Sequence, residues 1–185
     1  MVVGGGPAGL VAAGRAAVSG GSVLLLEKMP NAGTKLSITG KGRCNLTNIA
    51  PLEQFLEHFG SNGVFLRQAF GLFFSEDLIG FLESLGVRTV TERGGRVFPE
   101  SRDAGDVVRA LLRWNASLGV RMWTGTRMTG LVLDHGRVAG VRWTPSEPGR
   151  GSGRTAGAAE SIERADAVVM ATGGFSYPGT GSTGD

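Results

Sequence analysis

Apolar positions along the chain alternate between two periods. Short continuous apolar runs at residues 2–3 and 23–26 bracket a segment with Leu10, Ala13, Gly14 and Ala17 at helical spacing. That order predicts strand, helix, strand, with small residues letting the helix pack close to a sheet. Gly20-Gly21 ends the helix. Residues 28–48 hold neither period. Residues 51–60 and 64–74 read as helices with a break over 60–63. Residues 76–85 form a clearer helix: Ser75 can cap it, Glu76 and Asp77 sit in its first turn, and Leu78, Phe81, Leu82 and Leu85 share a face. Residues 87–92 and 96–98 flank Arg93-Gly94-Gly95 as a hairpin that Pro99 stops. The strongest amphipathic pattern is 103–118, with Ala104, Val107, Val108, Leu111, Trp114 and Leu118 on one side and Gly119 at its end. A strand at 120–124 precedes a hairpin, 126–133 and 137–143, around Asp134-His135-Gly136. Residues 161–164 and 167–170 resume β structure, and the second of these is a short apolar run of the buried parallel type. Between strands, residues 144–160 are rich in Gly, Ser, Pro and Ala and read as a flexible insertion.

Composition narrows the class. The chain has 185 residues, 41% hydrophobic and 19% charged, enough to build a core. Its net charge of +3 comes from scattered Lys and Arg, which argues against a nucleic-acid tail. The single cysteine, Cys44, allows no intrachain disulfide and excludes a C-x-x-C redox pair. The apolar N-terminus is broken by Gly and Pro and lacks a basic n-region, so it reads as fold, not signal. No apolar run of about 18 residues suggests a membrane span. A cytoplasmic location is expected.

The chemistry concentrates in the first strand–helix–strand. Its turn reads Gly4-x-Gly6-Pro7-Ala8-Gly9. Gly4 permits the tight turn, Gly6 lets a pyrophosphate approach the backbone, and Gly9 lets helix and strand pack closely. The helix N-terminus offers N–H groups and a positive dipole end to phosphate. Pro7 suits the first helical turn. Glu27 ends the second strand, where a carboxylate accepts ribose hydroxyls and disfavours a 2′-phosphate. The fingerprint leaves FAD and NAD both open. The 28–48 loop adds Lys28, Lys35, Lys41 and Arg43, and a loop of that length is usually functional. Glycines after the 167–170 strand again favour close approach of a ligand. His58 and His135 have no metal-ligand partners at useful spacing, and no Ser/His/Asp or Cys/His pairing is visible. Neither a catalytic residue nor a metal site is assigned.

With these residues in place, the chain resembles the FAD domain of the glutathione-reductase-type flavoproteins. Gly40-Lys41-Gly42-Arg43-Cys44-Asn45-Leu46-Thr47-Asn48, Val97-Phe98-Pro99-Glu100-Ser101 and Ala171-Thr172-Gly173-Gly174-Phe175-Ser176-Tyr177-Pro178 are similar to the aminoacetone-oxidase-like family of bacterial FAD-binding flavoproteins. That family includes a bile-acid reductase. The resemblance implies a Rossmann-like α/β fold: a central parallel sheet, helices on one face and an antiparallel β-meander on the other. It implies FAD as cofactor and hydride transfer with a small-molecule substrate, NAD(P)H being a candidate electron donor. By the same resemblance Gly4, Gly6, Pro7, Ala8 and Gly9 bind the pyrophosphate and Glu27 the adenosine ribose, with Lys28 beside it. Lys35, Arg43, Cys44, Asn45, Leu46 and Thr47 line the phosphate and flavin side. Met128 meets the adenine through its backbone, and Ala171, Thr172 and Gly173 pass near the cofactor. Family members are about twice as long, so residues 1–185 are expected to be an incomplete FAD-binding domain without the substrate domain and closing strand. A tRNA-modifying flavoprotein and a non-catalytic dinucleotide-binding module are the competing readings. For Cys44 a packing role is favoured over a redox one.

Overall fold

The computed structural model describes residues 1–146, 159–181, 183 and 184. The chain runs β1 (Val2–Val3), α1 (Pro7–Val18), β2 (Leu24–Leu26), α2 (Thr34–Ile38), β3 (Thr47–Asn48), α3 (Leu52–Glu57), α4 (Gly63–Leu72) and α5 (Ser75–Ser84). It continues through β4 (Thr89–Thr91), β5 (Arg96–Pro99), α6 (Ala104–Ser117), β6 (Arg121–Trp123), β7 (Thr126–Asp134), β8 (Arg137–Pro145), β9 (Ser161–Arg164) and β10 (Val169–Met170). Two compact units result: Met1–Leu36 with Leu111–Asp185, and Ser37–Ala110.

The first unit is built on a parallel sheet of order β10-β1-β2-β6. Val3 pairs with Leu26 on one side and Met170 on the other, and Leu26 pairs with Trp123. The central strands are buried throughout, as their continuous apolar runs predict. Alternation sends Val3, Leu24 and Leu26 to one face, where Val141, Met128, Trp123 and Trp143 pack on them. These partners come largely from the antiparallel sheet β7-β8-β9. The β7–β8 hairpin turns at His135 and Gly136, both with positive φ (48° and 77°), the geometry of a two-residue type I′ turn. Helix α1 packs against β1 and β2. A Cβ on its Gly14 would lie 2.1 Å from the Trp114 ring of α6, so glycine sets that approach. Asn115, 1% exposed, donates its amide to the carbonyls of Leu10 (3.0 Å) and Leu111 (2.9 Å). The Rossmann-like architecture expected from the sequence is the one found.

The second unit holds the antiparallel sheet β3-β5-β4 and helices α3, α4 and α5. Val97 and Phe98 of β5 are buried. Phe55, Phe59, Phe70 and Phe74 form an aromatic cluster with ring centroids 5.1–6.1 Å apart.

Several local expectations need correction. The 167–170 run forms a strand only at its end, and Val169 and Met170 are exposed, not buried. Among the described residues β10 pairs on one side only, with β1, so its apolar residues lack the second neighbour that would cover them. Residue 75 does not cap α5. Phe74 occupies that position, its N–H donating to the Asp77 carboxylate at 2.7 Å, while the Ser75 hydroxyl bonds that of Thr47 at 2.8 Å. The aperiodic 28–48 stretch contains both α2 and β3. Pro99 is the last residue of β5. Strand β8 extends to Pro145, and residues 147–158 of the expected flexible insertion lie outside the described residues.

Candidate functional site

The turn from β1 into α1 is shaped by three glycines with three different constraints. Gly4 has φ 104°, and a Cβ there would lie 2.4 Å from the Ala171 carbonyl oxygen. A Cβ on Gly9 would lie 1.8 Å from the Gly4 carbonyl oxygen. A Cβ on Gly6 would meet nothing within 4 Å. Gly4 and Gly9 are therefore fixed by the protein's own backbone. Gly6 instead keeps an open approach clear. The open side lies at the N-terminus of α1, where Gly6 is the N-cap with no side-chain cap, Pro7 follows, and no acidic residue stands in the first turn. Uncapped N–H groups and the dipole's positive end make that position receptive to an anion.

Glu27 is 9% exposed and anchored on both oxygens. Its Oε2 accepts the Gly5 N–H at 2.6 Å and its Oε1 accepts the Met29 N–H at 2.7 Å. An ionised carboxylate has about four acceptor positions. Two backbone bonds thus fix its orientation and leave acceptor capacity over.

These features meet in a cleft of about 230 Å³ within the first unit. Of the expected residues, Gly4, Gly6, Pro7, Ala8, Glu27, Lys28, Lys35, Met128, Ala171, Thr172 and Gly173 line it. Gly9 lies behind the wall, against Gly4. The cleft also draws on Gly33, Thr126, Arg127 and Gly181, none of which the sequence had marked as a site residue. Gly33, with φ 75°, sits in the aperiodic loop, and its glycine was the available signal. Among the described residues, Lys28, Lys35 and Arg127 line the cleft together with the carboxylate of Glu27.

Arg43, Cys44, Asn45, Leu46 and Thr47 belong to the second unit. The Arg43 guanidinium lies 4.4 Å from the Phe98 ring centroid, a cation–π distance, and its Nη1 contacts both Glu92 oxygens at 3.1 and 3.2 Å. Arg102 approaches the same carboxylate at 3.6 Å. Cys44 is fully buried, and desolvation pushes its thiol up to about 11. Such a thiol stays protonated at neutral pH, which suits packing and not nucleophilic or redox work. Asn45 is exposed, and Leu46 donates its N–H to the Val97 carbonyl at 2.8 Å. His58 Nδ1 lies 2.8 Å from the Gln54 carbonyl on the surface, and His135 is at its hairpin tip. No cluster of metal-ligating side chains occurs among the described residues. No helix among them is long and apolar enough to cross a membrane.

Comparison with known proteins agrees with this fold. The HI0933-like protein Rossmann domain matches residues 1–185. A 3-dehydro-bile acid Δ(4,6)-reductase from Clostridium scindens is 38% identical over 134 residues, which is 71% of this chain and 32% of that protein. A ribosomal RNA dihydrouridine synthase from Escherichia coli is 25% identical over 193 residues, 99% of this chain and 41% of that protein. The chain thus spans about a third to two fifths of these relatives. Among solved structures, a 3-ketosteroid-Δ4-(5α)-dehydrogenase from Rhodococcus jostii superposes with a TM-score of 0.66 at 21% identity, over 94% of this chain and 45% of that one. At that identity the likeness speaks for the fold.

Proposed function

The chain belongs to the HI0933-like Rossmann-domain family, and from that premise we propose that it is the nucleotide-holding domain of an FAD-dependent oxidoreductase. The observation that carries the reading is the meeting of the open Gly6 approach, the uncapped α1 N-terminus and the anchored Glu27 carboxylate in one cleft. A diphosphate takes the α1 N–H groups, ribose hydroxyls take the remaining Glu27 acceptors, and the Met128 backbone meets the adenine. Lys28, Lys35 and Arg127 offset the phosphate charge. Bound FAD supplies hydride transfer with a small-molecule substrate, while the protein supplies orientation and electrostatics. NAD(P)H is the candidate electron donor. A flavin-side role for Arg43, Cys44, Asn45, Leu46 and Thr47 is a separate part of the proposal. Arg43→Ala in a flavin-loaded protein tests it through the flavin spectrum.

The decisive experiment is the visible absorption spectrum of the purified protein, with calorimetric titration of ADP, FAD and NAD. Flavin bands, or saturable binding of ADP and FAD in preference to NAD, are expected. A protein that binds NAD and neither ADP nor FAD overturns the reading. The likeness to the Escherichia coli synthase motivates a second reading, an RNA base as substrate. A salt-sensitive gel shift with ribosomal RNA would favour it.

A further inference from the structure

Residues 171–181 leave the cleft and return to it. Ala171 donates its N–H to the Val3 carbonyl at 2.8 Å, extending the β1 pairing to the cleft edge. Thr172 and Gly173 line the cleft, and Gly173 turns the chain outward with φ 74°. The segment then runs over the surface, with Phe175 78% and Tyr177 58% exposed. Through a 3₁₀ turn at Pro178–Thr180 it comes back, so that Thr180 and Gly181 line the cleft again. An antiparallel bridge between Phe175 and Thr183 closes the loop on itself.

What holds this segment down is polar. The Lys28 ammonium donates to the Thr183 hydroxyl at 2.5 Å, and the Lys35 ammonium donates to the Ser176 hydroxyl at 3.2 Å. Both lysines also line the cleft. Gly181 sits tightly, since a Cβ there would lie 2.9 Å from Met29 Cγ. A segment with two exposed aromatics and few buried apolar contacts sits at the low-stability end of a fold and opens at little cost.

Resting on the nucleotide reading, we propose that residues 171–181, with Thr183, are a retaining strap. Lys28 and Lys35 fasten it and couple its closure to an anionic nucleotide in the cleft. A lysine ammonium carries three N–H donors and can hold a strap hydroxyl and a ligand phosphate at once. Ligand charge then keeps each ammonium at the cleft, and each ammonium keeps the strap on the ligand. Closure of this kind acts on residence time, because affinity differences between related complexes reside mostly in dissociation.

The test uses the whole chain with a fluorescent N-methylanthraniloyl ADP as probe, displaced by excess ADP in a stopped-flow instrument. Ser176→Ala and Thr183→Val each remove a fastening hydroxyl and leave both lysines in place. The double variant is expected to release the probe about tenfold faster than wild type, with its association rate unchanged within about twofold. Hydrogen exchange over residues 174–181 is expected to slow when ADP binds wild type and not when it binds the double variant. An unchanged dissociation rate in a double variant with wild-type near-UV circular dichroism overturns the strap alone. Failure of wild type to bind the probe overturns the nucleotide reading and the strap with it.

Discussion

Glu27 shows how much one side chain is asked to do. It orders the turn through the Gly5 and Met29 N–H groups and faces the cleft. Glu27→Gln replaces one acceptor oxygen with an NH₂ that confronts a backbone donor. Leaving that buried N–H unsatisfied costs about 1–3 kcal/mol. Urea denaturation is expected to show that loss, and calorimetry a weaker ADP titration; wild-type values for both would remove Glu27 from the site. Cys44 makes the opposite kind of prediction. Burial holds its folded pKa near 11, above the usual thiol value of about 8.5. The neutral thiol is thus favoured in the folded state. Its stabilising contribution is fully present below about pH 8.5 and is lost as pH rises toward 11. Iodoacetamide should modify Cys44 far more slowly in native than in urea-unfolded protein at pH 8.5, read by mass spectrometry. Equal rates would mean that the thiol is accessible. The sequence named both residues, but it could not show that Glu27 is anchored twice or that Cys44 is sealed. Those facts depend on neighbours distant in the chain.

At the scale of elements, the α1–α6 contact has a glycine against a ring. Gly14→Ala would drive a methyl into Trp114, and overpacking of this kind typically costs about 1–3 kcal/mol. Trp114→Leu should relieve part of that cost, so in a double-mutant cycle the double variant should lose less stability than the two single variants summed. Additive effects would mean that the helices adjust freely. Helix existence was legible from period alone, since α1, α5 and α6 fall where the apolar spacing puts them. Ends were less legible. The Ser75 cap lost to Phe74 because Thr47 of β3 takes the Ser75 hydroxyl. Asn115 escaped notice because its polar side chain sits in the buried α6 face, where the Leu10 carbonyl of α1 receives it. In each case a tertiary partner decided between local options.

At the scale of the whole molecule, the distribution of reporters gives a direct test. Trp114, Trp123 and Trp143 all belong to the first unit, which also contains the cleft. A ligand that binds only the folded state stabilises by about 2.7 kcal/mol at a hundred times its Kd. Tryptophan-monitored denaturation with ADP at that excess should shift by this amount. No shift would show that ADP does not bind the folded first unit. Architecture was largely readable beforehand. Buried apolar runs, a glycine turn and hairpin signals imply a parallel sheet with an antiparallel layer, and the structure has both.

The sequence by itself determined the strand–glycine–helix–strand–Glu27 unit, because backbone sterics and side-chain period act over a few residues. Only the tertiary structure decided which glycine serves the ligand. Gly4 and Gly9 face the protein's own carbonyls and Gly6 faces open space, a difference set by Ala171 and by the packing of α1 on β1. It also decided that Lys28 and Lys35 meet hydroxyls more than a hundred positions away. Pairings that distant carry no local period, so they exist only once the sheet has brought β10 beside β1.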